Sequence, residues 1–142
     1  MHRTILALLL LLLFSTACAA RDSRTLDQIP AYPDAVVLEE AENAMADIMA
    51  STLRDFTSEV AESEITLYAL PNDATWDAVS AHYDEATAQS DWVPNDALTM
   101  SYDDYRARGW RRTGVGDEQL FVISYVNDPV TGQPLLSTAY LK

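Results

Sequence analysis

The chain is poor in the residues that build covalent or metal-held frameworks. Its 142 residues include one cysteine, Cys18, and two histidines. A single cysteine cannot form an intramolecular disulfide, and so few thiols and imidazoles exclude a zinc cluster. Positive charge is also scarce, with nine Lys and Arg against 22 Asp and Glu and a formal net charge of −13. This charge disfavours binding to nucleic-acid phosphates and to anionic lipid headgroups.

Apolar sequence, by contrast, is plentiful. Hydrophobic residues make up 49% of the chain and charged residues 22%, which is typical of a globular protein rather than a disordered one. The longest apolar run covers residues 5–14 and follows the basic pair His2-Arg3. At about 1.5 Å per helical residue, this run covers roughly half of a ~30 Å hydrocarbon core. It is therefore too short for a good permanent span and indicates a signal peptide.

Small residues stand directly before the cysteine, where residues 15–18 read Ser-Thr-Ala-Cys. This spacing resembles the lipobox of bacterial lipoproteins. In that family a diacylglycerol is attached to the cysteine thiol and the peptide is cut just before the cysteine. The resemblance implies a signal peptide over residues 1–17 and a lipidated Cys18. The alternative is a soluble secreted protein cut after Ala17 or Ala19.

The anchor would fix where the rest of the chain resides. One acyl chain binds a bilayer marginally, whereas two or three give stable attachment. Cutting before Cys18 removes one cation, Arg3, and no acid, so eight cations face 22 acids and the formal charge becomes −14. Residues 18–28 carry no apolar period and are expected to form a flexible tether with a reach of roughly 20 Å. The resemblance implies an extracytoplasmic protein, and Ala19, in place of the Asp that retains lipoproteins, implies the outer membrane in an organism with two membranes.

The remaining residues, 29–142, predict one α+β domain. Apolar residues from Met45 to Phe56 recur at helical spacing, and those from Trp76 to Ala86 do so again. We therefore expect an antiparallel sheet of about four to five strands with two amphipathic helices packed on one face. The predicted helices cover residues 45–56 and 74–89, and the predicted strands cover residues 35–38, 65–70, 109–113, 118–126 and 135–141.

The start of this domain carries a second resemblance. Residues 30–35 read Pro-Ala-Tyr-Pro-Asp-Ala, and Trp76, Tyr83 and Trp92 follow on and after the second predicted helix. The pattern resembles a set of uncharacterised bacterial lipoprotein domains that open with Pro-x-Tyr-Pro-Gly-Ala, and Asp34 stands at the position of their Gly. The resemblance implies the fold and supplies no activity.

Catalytic constellations are not evident in the sequence. His82 is the one histidine left after removal of the signal peptide, and Ser80 lies two residues before it on the predicted helix. Residues two apart on a helix point about 200° apart, so these two cannot form a nucleophile and base pair. Residues 114–116, Gly-Val-Gly, lack the third glycine of a dinucleotide site, and no Asp ladder for calcium exists. We therefore predict no enzyme activity, no cofactor and no metal site.

The most unusual local feature is a basic aromatic segment. Four arginines, half of the cations beyond residue 17, lie within seven positions next to Tyr105 and Trp110. Arginine side chains beside aromatic rings suit the recognition of an anion or a partner protein. The alternative is that they neutralise the acidic surface and cover their aromatic neighbours. The candidate contact residues are Arg106, Arg108, Arg111, Arg112 and Tyr105.

These observations predict a membrane-attached binding or assembly module of the cell envelope that is not catalytic. Its expected partner is another envelope protein, and the sequence leaves its oligomeric state open. The alternative is a carrier of a small ligand or an acidic glycan, with a cleft between helices and sheet. A cavity of a few hundred Å³ lined by Trp76 or Trp92 would favour the carrier, and a filled core would favour the binding module.

Overall fold

The computed structural model describes residues 29–59, 62–113 and 118–142. The predicted signal peptide, the lipidated Cys18 and the tether all lie outside the described residues, as does the Gly-Val-Gly segment. The described residues form an α+β fold with a seven-stranded antiparallel sheet and two α-helices. Neither α-helix of the described residues has the length and hydrophobicity that a membrane span requires.

The sheet combines long central strands with short strands at its edges. The strand order is β1-β2-β7-β6-β5-β3, and β4 also pairs with β5. A 3₁₀ turn, Asp96–Leu98, connects β3 to β4. In chain order the elements are β1 (Val36–Val37), α1 (Ala44–Phe56), β2 (Ser63–Ala69), α2 (Trp76–Ala88), β3 (Val93–Pro94), β4 (Met100–Tyr102), β5 (Tyr105–Arg112), β6 (Gln119–Asn127) and β7 (Pro134–Leu141).

The predicted class, the antiparallel sheet and the two helices are confirmed, but the predicted strand count of four to five is too low. The two additional strands, β3 and β4, have two and three residues. Both pair with β5, and one contains Pro94, a residue that sheets tolerate at their edges. Strands of two and three residues are too short to give a recognisable apolar period in the sequence, and both form by pairing with β5.

Each helix begins at a polar cap. The Asn43 side chain accepts a hydrogen bond from the Ala46 amide (2.9 Å) at the start of α1, and Thr75 accepts one from the Ala78 amide (3.3 Å) at the start of α2. α1 buries the small face formed by Ala46, Met49 and Ala50. Two members of its predicted apolar stripe, Ile48 and Phe56, are exposed instead.

The two helices lie on opposite faces of the sheet, so the prediction that both pack on one face is wrong. Adjacent residues of a strand point to opposite faces. On β7, Leu135 packs in a cluster with Met49 of α1, whereas Leu136 packs in a cluster with Val79 and Tyr83 of α2. The physical reason is that the central strands are apolar at successive positions, so each face needs its own cover.

Aromatic rings fill the larger core, which lies between the sheet and α2. Trp110 and Phe121 are cross-strand partners on β5 and β6, and their rings stack with centroids 5.5 Å apart. The ring centre of Phe121 lies 5.7 Å from that of Tyr83 on α2 and 6.1 Å from that of Trp92. Trp110, Tyr83 and Phe121 are fully buried. This face of the sheet therefore has a filled core.

Asp34 occupies a backbone conformation that favours glycine. Its φ angle is +58°, in the left-handed region that costs residues with a Cβ about 1 kcal/mol. Glycine adopts this backbone conformation without that cost.

Candidate functional site

The basic aromatic segment coincides with β5, and the strand divides its arginines between two faces. Side chains alternate along a strand, so Arg106, Arg108 and Arg112 point to the α2 face together with Trp110. Arg111 points to the α1 face. Three of the four neighbouring arginines therefore lie on one face of β5, and Arg111 lies on the other.

Two of the three grouped arginines contact side chains of the protein itself. The Arg108 Nε atom lies 2.9 Å from Asp84 Oδ1, and its guanidinium lies 5.8 Å from the centre of the Trp110 ring. The Arg112 Nε atom donates to Gln119 Oε1 (2.9 Å), and its guanidinium lies 5.1 Å from the centre of the Trp92 ring. These contacts match the alternative interpretation, in which the arginines cover aromatic neighbours and balance acidic ones.

The other candidate residues are positioned differently. Arg106 Nη1 donates to the backbone oxygens of Asp103 and Tyr105. Tyr105 donates its hydroxyl to Ser124 Oγ (2.9 Å). Arg111 is exposed, and its side chain forms no hydrogen bond or ion pair with the described part of the chain. An anion or partner contact by these residues stays a prediction, and Arg111 is the member most accessible to a partner.

A first open cleft lies beside the start of α2. It has a volume of about 230 Å³ and is lined by Thr75, Trp76, Asp103, Asp104, Arg106, Tyr125 and Asn127. The Tyr125 hydroxyl lies 3.1 Å from both Ala74 O and Asn127 Oδ1. Burial raises the pKa of the Tyr125 phenol, so this group is protonated and serves as a donor at neutral pH.

A second open cleft, which we name the acidic cleft, lies between α1 and the β1–β2 edge of the sheet. It has a volume of about 290 Å³. Three carboxylates and one guanidinium line it, so its charge is negative. The lining residues are Val37, Leu38, Glu39, Glu40, Asp47, Ala50, Arg54, Ile65, Thr66 and Leu67.

His82 is held in a packed setting. Its Nε2 atom lies 3.2 Å from Pro30 O, and its ring meets the rings of Tyr32 and Tyr83 edge-on at 5.5 and 4.9 Å. Ser80 donates its hydroxyl to Asp77 O (3.2 Å). The described residues contain no group of three or more His, Cys, Asp or Glu that could hold a metal ion. The absence of enzyme activity stays a prediction.

Neither the acidic cleft nor the free sheet edge beside it was predicted from the sequence. Glu39 and Glu40 precede α1 in the sequence, and their side chains line the cleft. The available signal was the shortness of the apolar run at residues 35–38. A strand that short cannot cover the whole length of a seven-residue neighbour such as β2.

No protein-family model, curated protein or solved structure matches the chain.

Proposed function

We propose that the chain is a lipid-anchored, extracytoplasmic envelope protein that acts as a binding or assembly module and not as a catalyst. The observation that carries the binding role is the presence of exposed apolar side chains at both edges of the sheet. Val36 and Val37 are exposed at one edge, and Val93, Met100 and Tyr102 at the other. Met100 and Tyr102 lie two residues apart on β4 and so share one face, and exposed apolar side chains grouped in this way are typical of surfaces that partners cover.

The filled core supports binding by the surface over enclosure of a ligand. Of the two tryptophans named as lining residues of a carrier, Trp92 is 5% exposed and packs against Phe121 and Tyr140, whereas Trp76 lines the open cleft beside α2. Both clefts described above open to solvent, whereas small-molecule sites bury most of the ligand. A protein with exposed sheet edges and open clefts is suited to binding another protein chain at its surface.

The anchor in this proposal is Cys18, supported by the resemblance of residues 15–18 to a lipobox. Acyl chains at that position would supply the membrane attachment. A body of formal charge −14 would be repelled by anionic headgroups and would keep its surface available for partners. We place the protein at the outer membrane if the organism has two membranes.

Cell fractionation tests the anchor. Wild-type protein should sediment with membranes and dissolve in detergent, whereas the Cys18→Ser variant should leave the membrane fraction. The matched control is Ser15→Ala, which changes a neighbouring hydroxyl and keeps the thiol. Equal membrane retention of wild type and Cys18→Ser would contradict the proposal.

Site-specific photo-crosslinking in intact envelopes tests the binding role. A photoreactive residue at Val37 or Met100, one at each edge, should give discrete adducts. The control position is Val130, which is 90% exposed in the turn between β6 and β7. Absence of adducts from both edges, or identical adducts from Val130, would contradict a partner at the edges.

A second candidate function is a small-ligand carrier that uses the cleft beside α2. Trp76 and Tyr125, whose ring centres are 6.1 Å apart, would provide apolar contact, and Arg106 and Asn127 would provide hydrogen bonds. The carboxylates of Asp103 and Asp104 disfavour an acidic glycan there and favour a neutral ligand. A saturable change in tryptophan fluorescence with neutral sugars, lost in Trp76→Phe, would support this candidate.

A further inference from the structure

The backbone of β2 directs alternate residues toward β7 and away from it. Glu62 and Lys142 exchange both backbone hydrogen bonds (3.1 and 2.9 Å), and the Leu70 amide donates to Pro134 O (2.9 Å). The antiparallel register is continuous between these points. The even-numbered residues of β2 therefore bond to β7, and the backbone groups of Ser63, Ile65 and Leu67 point to the outer edge.

β1 covers one end of that outer edge. Val36 and Val37 pair with Ala69 and Tyr68, and the Leu38 amide donates to Leu67 O (2.9 Å). After Leu38 the chain turns away toward α1. Within the described residues, the backbone groups of Ser63 and Ile65 that point outward have no hydrogen-bond partner. A strand edge with free amides and carbonyls can pair with another extended chain.

The acidic cleft supplies space along this free edge. Leu38, Ile65 and Thr66 line it from the sheet, and Ala50 and Arg54 line it from α1. An extended segment placed there would continue the line of β1 beside Ser63 and Ile65. The half-buried Ile65 side chain would provide apolar contact on the α1 face.

The negative charges around the outer edge of β2 determine which side chains a bound segment should carry. Carboxylates of Glu39, Glu40 and Asp47 line the cleft, Glu64 lies on β2 itself, and Arg54 is the one cation among the lining residues. Pairing of two copies of this edge would bring the same carboxylates together, which like-charge repulsion disfavours. Lysine and arginine side chains complement this surface.

We propose that the outer edge of β2 binds an extended peptide segment with basic side chains, which joins the sheet as an additional strand in line with β1. This inference rests on the proposed binding function and names the chemistry of the partner. Backbone hydrogen bonds provide affinity in this mode of recognition, and alternate side chains provide specificity.

The test uses the full chain in detergent and a terminally blocked heptapeptide of alternating Lys and Val. Amide hydrogen exchange, followed by NMR, should slow at Ser63 and Ile65 when the peptide is added. The Thr66 amide serves as an internal control because it already bonds to β7. A second peptide with the same charge, N-methylated at alternate residues, lacks the donors for pairing. Its affinity, measured by calorimetry, should be about tenfold lower.

Two double variants, each removing two negative charges, distinguish the effect of charge at the acidic cleft on peptide binding from the effect of net charge. Glu39→Gln/Glu40→Gln removes two charges at the cleft, where neither side chain has a hydrogen bond or ion pair with the described residues. Asp103→Asn/Asp104→Asn removes two charges at the other cleft. The first variant should bind the peptide roughly three- to tenfold more weakly, and the second should bind with affinity close to wild type.

Three results would overturn the inference. They are equal affinity for the methylated peptide, no slowing of exchange at Ser63 and Ile65, and protection of these two amides before any peptide is added. The last would mean that another part of the chain already pairs with the edge. Crosslinks from Met100 at the opposite edge do not depend on this peptide. If the Met100 crosslinks are observed but the peptide tests fail, the inference is rejected and the proposed function is retained.

Discussion

Asn43 connects α1 to the turn between β6 and β7, and its replacement should show how the wall of the acidic cleft is held. Its Oδ1 atom caps α1 through the Ala46 amide, and its Nδ2 atom donates to Asp128 Oδ2 (2.9 Å). Asp128 Oδ1 in turn accepts from the amides of Val130 and Thr131. The bond from Asn43 is the main reason that the pKa of Asp128 lies below its usual value.

Asn43→Ala removes both bonds. Loss of a helix cap costs about 1 kcal/mol, and we expect a total loss of about 2 kcal/mol in the free energy of unfolding because the bond to Asp128 is lost as well. The matched control is Thr75→Ala, which removes a cap alone from α2 and should cost about 1 kcal/mol. Asn43→Ser keeps a cap on α1 and removes the link to Asp128, so its loss should be intermediate.

Urea denaturation followed by far-UV circular dichroism measures these losses. Crosslinking or peptide binding at the acidic cleft should weaken in Asn43→Ala because α1 is less firmly held. The reasoning is refuted if Asn43→Ala costs no more than Thr75→Ala and Asn43→Ser costs nothing.

Three further predictions concern packing, backbone and pH. A Cβ at Gly109 would overlap the Cβ of Leu98, so Gly109→Ala should cost about 1–3 kcal/mol, and Leu98→Gly, which removes that Cβ, should recover part of this loss; additive losses in thermal unfolding would contradict the close contact. Asp34→Gly should leave stability unchanged or raise it by up to about 1 kcal/mol by relieving the left-handed backbone; a clear loss in urea denaturation would contradict this. Folding lowers the pKa of Asp128, so its ionised carboxylate adds to the free energy of unfolding at pH values above its unfolded pKa of about 4. This added stability is lost as the pH falls through the folded pKa. Asp128→Asn should therefore be less stable than wild type at pH 7, and the gap should narrow at pH 3.

Much of the secondary structure was predictable because the periods of the apolar residues are local. Both helices lie close to the predicted ranges, and β6 and β7 coincide with the predicted strands to within one residue at each end. The placement of the helices on opposite faces was not predicted. The run of apolar residues at Leu135 and Leu136 on a central strand was the signal, since it requires cover on both faces.

The candidate sites show why neighbours in sequence are a poor guide to a surface. Arg111 and Arg112 are adjacent, yet they point to opposite faces of β5. The acidic cleft arises from residues far apart in sequence, such as Glu40 and Ile65. The free edge of β2 depends on how few residues of β1 pair with it, which is a property of the tertiary structure.

The central claim is that acyl chains on Cys18 place an acidic binding domain at the envelope. Intact mass spectrometry of protein purified from envelopes, followed by analysis of its N-terminal peptide, tests this most directly. If Cys18 is acylated, the mature chain should begin at this residue and carry a diacylglycerol on its thiol. A mature protein with a free Cys18 thiol, or one that begins after this residue, would contradict it.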